Sequence, residues 1–82
     1  MAIQQIYALR DIKVDAFNKP VLLQNRAVLE RALIDAIHDE GNTISIHPED
    51  FQAFHLGEYD ESTGKITAKP AEHLFNLSDL GE

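Results

Sequence analysis

Five apolar residues, Leu29, Ala32, Leu33, Ala36 and Ile37, fall at i, i+3, i+4, i+7 and i+8 and line one stripe of a helix. Such a stripe must be covered, and the flanking segments in this 82-residue chain read as strands. The spacing predicts a helix over residues 26–39. Asn25 stands where an N-cap side chain accepts from an orphan N–H, and Gly41 where a left-handed exit is expected. Arg31 and Asp35 are placed to pair at i, i+4. Val28 and Ile34 widen the stripe, so more than one surface is expected to cover it.

Residues 3–10 mix β-branched and aromatic residues with polar ones and read as a strand. Residues 11–20 carry the turn formers Asp11, Asp15, Asn18 and Pro20, with Ala16 and Phe17 turned inward. Residues 21–24 then return as a short strand antiparallel to the first. Residues 42–50 are a connection in which Pro48 stops any helix. Residues 51–59 form a third strand. Strict alternation puts Gln52, Phe54, Leu56 and Glu58 on one face and Phe51, Ala53, His55, Gly57 and Tyr59 on the other. Apolar residues on both faces predict a central strand or a covered second face, and their even split favours a homodimer. Residues 60–64 are a hairpin loop with Gly64 at positive φ, and residues 65–68 return as the fourth strand.

The expected architecture is therefore α+β: a small two-layer domain, β-β-α-β-β, with an antiparallel sheet and one helix packed on a face. It spans residues 1–68. Residues 69–82 are expected to be a tail, because Lys69-Pro70 breaks a strand. Leu74, Leu77 and Leu80 recur every third residue there, with Phe75 offset by one. That segment either docks on its own sheet or offers Leu74, Phe75, Leu77 and Leu80 to a partner groove.

A chain this short buries only about 60% of its unfolded surface, so dimerisation or docking is an ordinary remedy. It has no cysteine, which rules out disulfides, thiolate metal sites and thiol nucleophiles. No apolar run approaches the roughly 20 residues of a membrane span, and Met1-Ala2-Ile3-Gln4-Gln5 lacks the pattern of a signal peptide. An intracellular protein with no membrane contact is expected. Net charge is −7, with five Lys/Arg against three Asp/Glu in residues 1–31 and two against eleven afterwards. That balance opposes tight non-specific DNA binding, which concentrates cations against phosphate, while leaving the N-terminal half mildly basic.

The residue patterns predict no catalytic centre. His38, His47, His55 and His73 are spaced by nine, eight and eighteen residues, unlike the close ligand pairs of zinc sites, so neither a metal site nor a cofactor is expected, even counting Glu49, Asp50 or Glu58. His38 suits a helix C-terminus. Glu58, Asp60 and Glu61 cluster at a hairpin, where carboxylates are ordinarily solvated rather than held in the dry pocket that acid–base work requires. Ser45, Ser62 and Thr63 have no convergent triad, and Thr63-Gly64-Lys65 lacks the glycine spacing and following helix of a phosphate loop. Tyr7, Phe17, Phe51, Phe54, Tyr59 and Phe75 occur with Arg10, Lys13, Arg26 and Lys65, as in single-strand binders that stack bases on aromatics; in a small domain most aromatics are equally explained as core. The DNA contacts expected on this reading are Arg10, Lys13, Tyr7 and Arg26.

Three blocks carry a family resemblance: Ile6-Tyr7-Ala8, Val21-Leu22-Leu23-Gln24-Asn25, and His47-Pro48-Glu49-Asp50 through Thr63-Gly64-Lys65-Ile66. Over residues 4–68 the chain resembles the small nonstructural protein of gokushoviruses, single-stranded-DNA phages of the Microviridae. The His-Pro-Glu-Asp and Phe-His-Leu-Gly-Glu-Tyr-Asp words are the most specific part, and the tail departs. The resemblance implies a protein made in the cytoplasm of the infected bacterial host and acting around viral DNA synthesis or packaging, often labelled DNA-binding; it transfers no catalytic residue. The expectation is a non-enzymatic accessory protein that works mainly through contacts with viral replication or capsid proteins, or a host protein. Alternatives are direct single-stranded-DNA binding and an acidic decoy of a host DNA-binding protein.

Overall fold

A computed structural model describes residues 2–80, so Met1 and the last two residues of the expected tail lie outside it. The elements are β1 (Ile3–Asp11), β2 (Ala16–Phe17), β3 (Val21–Leu23), α1 (Arg26–Ile37), α2 (Thr43–Ile46), a 3₁₀ turn (Pro48–Asp50), β4 (Phe51–Asp60), β5 (Lys65–Asn76) and a second 3₁₀ turn (Leu77–Asp79). The class is α+β with one main helix, but the order differs from β-β-α-β-β. Three strands precede the helix, because residues 16–17 pair with the end of β1 (Arg10 opposite Phe17) instead of remaining loop. The expected connection over residues 42–50 also contains α2.

All pairings are antiparallel. β4 lies between β1 and β5, and the other edge of β1 takes β2 near its end and β3 along its middle. α1 starts where the cap predicts, with Asn25 Oδ1 accepting the Val28 N–H at 3.0 Å. It ends differently. His38 turns out of the helix at φ −89°, its N–H donating to Ile34 O and the Asp39 N–H to Ala36 O, both at 3.2 Å, and the His38 ring Nδ1–H donates to Ile34 O at 2.8 Å. Gly41 lies beyond that turn and is not left-handed; the described glycines at positive φ are Gly57 and Gly64. The ion pair on α1 joins Arg26 to Glu30, not Arg31 to Asp35.

The largest departure is β5, which runs through Pro70 to Asn76. Glu72 pairs with His55 and Ala68 with Gly57, so Lys69, Pro70 and Ala71 together face Leu56. Proline lacks an N–H, and a bulge at a sheet edge needs none from it. β1 passes over Leu56 too, pairing Ile6 with Gly57 and Tyr7 with His55. Bulges bend strands and raise local twist, and this pair bends the sheet at Leu56.

One sheet face and the helices enclose the core of Tyr7, Leu29, Leu33, Phe51, Ala53, Phe75 and Leu77. Ile44 of α2 and Leu80 also pack against it. The segment expected to be a separate tail thus supplies Phe75 and the fully buried Leu77. Three-residue spacing of leucines there reflects a strand end running into a 3₁₀ turn.

Candidate functional site

Residues paired across antiparallel strands share a face, so the register identifies the side turned away from the helices. Along β1 that side carries Gln4, Ile6, Ala8 and Arg10, since Gln5 and Tyr7 meet His55 on the helix side. Opposite these four stand Tyr59, Gly57, Phe54 and Gln52 of β4, and beyond them Ile66, Ala68, His73 and Asn76 of β5. Leu22 and Phe17 complete the face beside Ile6 and Arg10. The strand carboxylates Asp11, Glu58, Asp60 and Glu72 fall at helix-side positions. A chain of net charge −7 therefore presents a sheet face with no carboxylate among its strand positions. Among the described strand positions that the register assigns to this face, the cation is Arg10, ion-paired to Asp15 of the β1–β2 turn.

The face is apolar and open. Leu22 is 48%, Phe17 46% and Ile66 65% exposed, while Ile6, Phe54 and Tyr59 are half-buried. α1, α2 and the second 3₁₀ turn all contribute to the core on the other side. Phe17, Phe54 and His73 form a row of edge-to-face contacts, with centroids 5.2 and 5.4 Å apart, and His73 Nε2–H donates to Asn76 Oδ1 at 2.9 Å. Exposed apolar surface of this kind marks interaction sites more often than scattered single residues do.

The residues singled out in the sequence do not converge. Tyr7 is 4% exposed; it lies in the core and offers no surface for stacking. Burial raises its hydroxyl pKa, opposed by the Arg26 charge. Arg26 lies on the helix side, its guanidinium 5.1 Å from the Phe75 ring centroid. Arg10 does lie on the open face, and Lys13 sits in the exposed turn beside it, its N–H donating to Asp11 Oδ1 at 3.0 Å. Leu74 and Leu80 pack against the core with buried Phe75 and Leu77. His73, Leu22 and Ile66 were missed. Strict alternation also placed Tyr59 with His55, whereas the bulge at Leu56 turns it to the face of Phe54. The signal was Gly57 beside Leu56, since a glycine within a strand pattern marks a bulge.

Other polar groups serve the fold. Asp60 Oδ1 accepts the Ser62 N–H at 2.8 Å and Thr63 Oγ1 the Lys65 N–H at 3.2 Å, closing the β4–β5 hairpin. His55 Nε2–H donates to Gln5 Oε1 at 2.8 Å, and its Nδ1 lies 3.7 Å from Glu72. His47, Glu49 and Asp50 bring one donor atom each within 4.8 Å of one another in an exposed to half-exposed turn. An apolar cleft of about 320 Å³ lies between β1, β3 and α1, lined by Tyr7, Leu9, Val21, Leu23, Leu29 and Leu33, with Asn18 and Lys19. Among the described residues no helix is long and apolar enough to cross a membrane.

Fold and surface together define a small two-layer α+β domain that covers one side of its sheet and leaves the other open. The chain belongs to the phage ORF5 protein family, whose profile matches residues 4–80. No curated protein and no solved structure matches it.

Proposed function

We propose that this phage protein is a non-enzymatic accessory factor of a gokushovirus-like single-stranded-DNA phage. It acts in the cytoplasm of the infected host, supporting genome replication or packaging through protein contacts made on the open sheet face. The observation that carries this reading is the segregation of charge. Fourteen Asp and Glu are present, yet the strand positions of the apolar face hold none. Charged residues are depleted at the centres of protein interfaces and aromatics enriched. The acidic remainder of the surface would steer the domain toward a basic replication or capsid protein.

The test is calorimetric titration of the protein with the purified replication and capsid proteins of the same phage, using wild type and the Leu22→Lys/Ile66→Lys double variant. Binding by wild type that the variant loses supports the reading; binding that survives, or binding to neither protein, overturns it.

Direct single-stranded-DNA binding is the second reading, favoured by the Phe17–Phe54–His73 row beside Arg10. Stacking is worth about 1–3 kcal/mol per base and tolerates any sequence. Fluorescence anisotropy of a labelled oligonucleotide at low and near-physiological salt tests it. Salt-sensitive binding abolished by Phe17→Ala supports it, and no binding at low salt sinks it.

A further inference from the structure

We infer that, when no phage partner holds it, the open sheet face is covered by a second copy of this chain, related by a two-fold axis and packed sheet against sheet. This rests on the reading of that face as a docking surface and names its occupant.

Charge selects the orientation. Two chains of net charge −7 repel wherever their acidic surfaces meet, and like charges brought together across an interface are costly. The open face is the exception. Its strand positions hold Gln4, Gln52, Asn76 and His73 among apolar residues, and Arg10 is neutralised within its own chain by Asp15. A two-fold contact sets one patch against itself, so a patch used this way has to be free of unpaired charge of either sign.

The available area lies close to what a stable dimer needs. Strands lie about 4.8 Å apart and rise about 3.3 Å per residue. Four strands abreast, with β1 nine residues long, make a face about 19 Å wide and 30 Å long. Two such faces give a flat footprint near 1,100 Å², and the relief of side chains adds to it. Stable interfaces begin at about 1,200 Å². Face-to-face sheets pack about 10 Å apart with interdigitated side chains, which would bury Phe17, Leu22 and Ile66, three of the large apolar residues the single chain leaves exposed.

Sedimentation velocity of the full chain, up to about 500 µM, tests this. Wild type should sediment as a dimer, and Leu22→Lys/Ile66→Lys should weaken association at least about 100-fold, because each two-fold contact then brings like charges into an apolar interface. Val14→Lys, in the turn off the face, should leave the dimer unchanged; circular dichroism checks that each variant is folded. A monomeric wild type, or a dimer unaffected by the double substitution, overturns the second copy as occupant. A monomer whose capture of a phage protein is still lost in the double variant keeps the docking reading while sinking the dimer. A dimer broken by the double variant, in a protein that binds no phage partner, does the reverse.

Discussion

Gly57 has a sharp energetic consequence. Its φ is +154°, and a Cβ built there would lie 2.2 Å from the Thr67 carbonyl oxygen and 3.1 Å from Ala68 Cα. Ordinary carbon–oxygen contacts start near 3.3 Å, so Gly57→Ala must push β4 and β5 apart by about 1 Å. The obstacle is backbone and cannot rotate away. Losing one or two ladder bonds costs about 1 kcal/mol each, and a left-handed residue with a Cβ adds about 1–2 kcal/mol. The total is about 3 kcal/mol, a large share of the 5 or so expected of a small domain. Gly64 supplies the control, since its φ is +78° with open space around it; Gly64→Ala should cost only about 1 kcal/mol. Gly41 has neither constraint, so Gly41→Ala should be neutral or stabilise by about 0.5 kcal/mol through the unfolded chain. Urea unfolding of the three variants reads the order directly. With a slope near 1 kcal/mol/M, Gly57→Ala should lower the midpoint by about 3 M. A Gly57→Ala protein as stable as Gly64→Ala would refute the steric argument.

Leu77 is fully buried, so Leu77→Ala should cost about 2–5 kcal/mol, and a chain ending at residue 73 should lose its cooperative melt; a native-like melt would show that the C-terminal segment is dispensable. Asn25→Ala should cost about 1 kcal/mol by removing the cap of α1, measurable as a shift in the urea midpoint with unchanged slope. Burial raises the Tyr7 hydroxyl pKa above its unfolded value. The unfolded chain therefore loses that proton first, and stability present below about pH 10 falls as pH rises through the folded pKa. Tyr7→Phe should flatten this alkaline decline in unfolding curves taken across that range; an identical decline in both proteins would remove Tyr7 as its cause.

Local signals were legible in the sequence wherever one residue settles the backbone. Asn25 set the start of α1, Gly64 the β4–β5 turn, and the mixed residues of 3–10 and 51–59 the two central strands to within a residue or so. What failed depended on neighbours. Pro70 reads as a stop unless it sits in an edge bulge, and that reading cuts β5 short and leaves Phe75 and Leu77 outside the domain. Two residues suffice for β2 only because β1 already offers a free edge. The site failed for the same reason. Which face Tyr59 joins depends on the extra residue at Leu56, and a slip of one residue exchanges the faces of a strand. The acid-free face appears only once β1, β4 and β5 are in register.

The bulge at Lys69, Pro70 and Ala71 also guards the outer edge of the sheet. β5 is an outer strand, and a straight strand of that length would invite further strands to add by backbone pairing, one copy after another, toward a fibre. Pro70 removes a donor, Lys69 places a charge beside it, and the bend spoils the line. Growth along the edge is thus discouraged. The same kink that shapes the sheet also protects its edge.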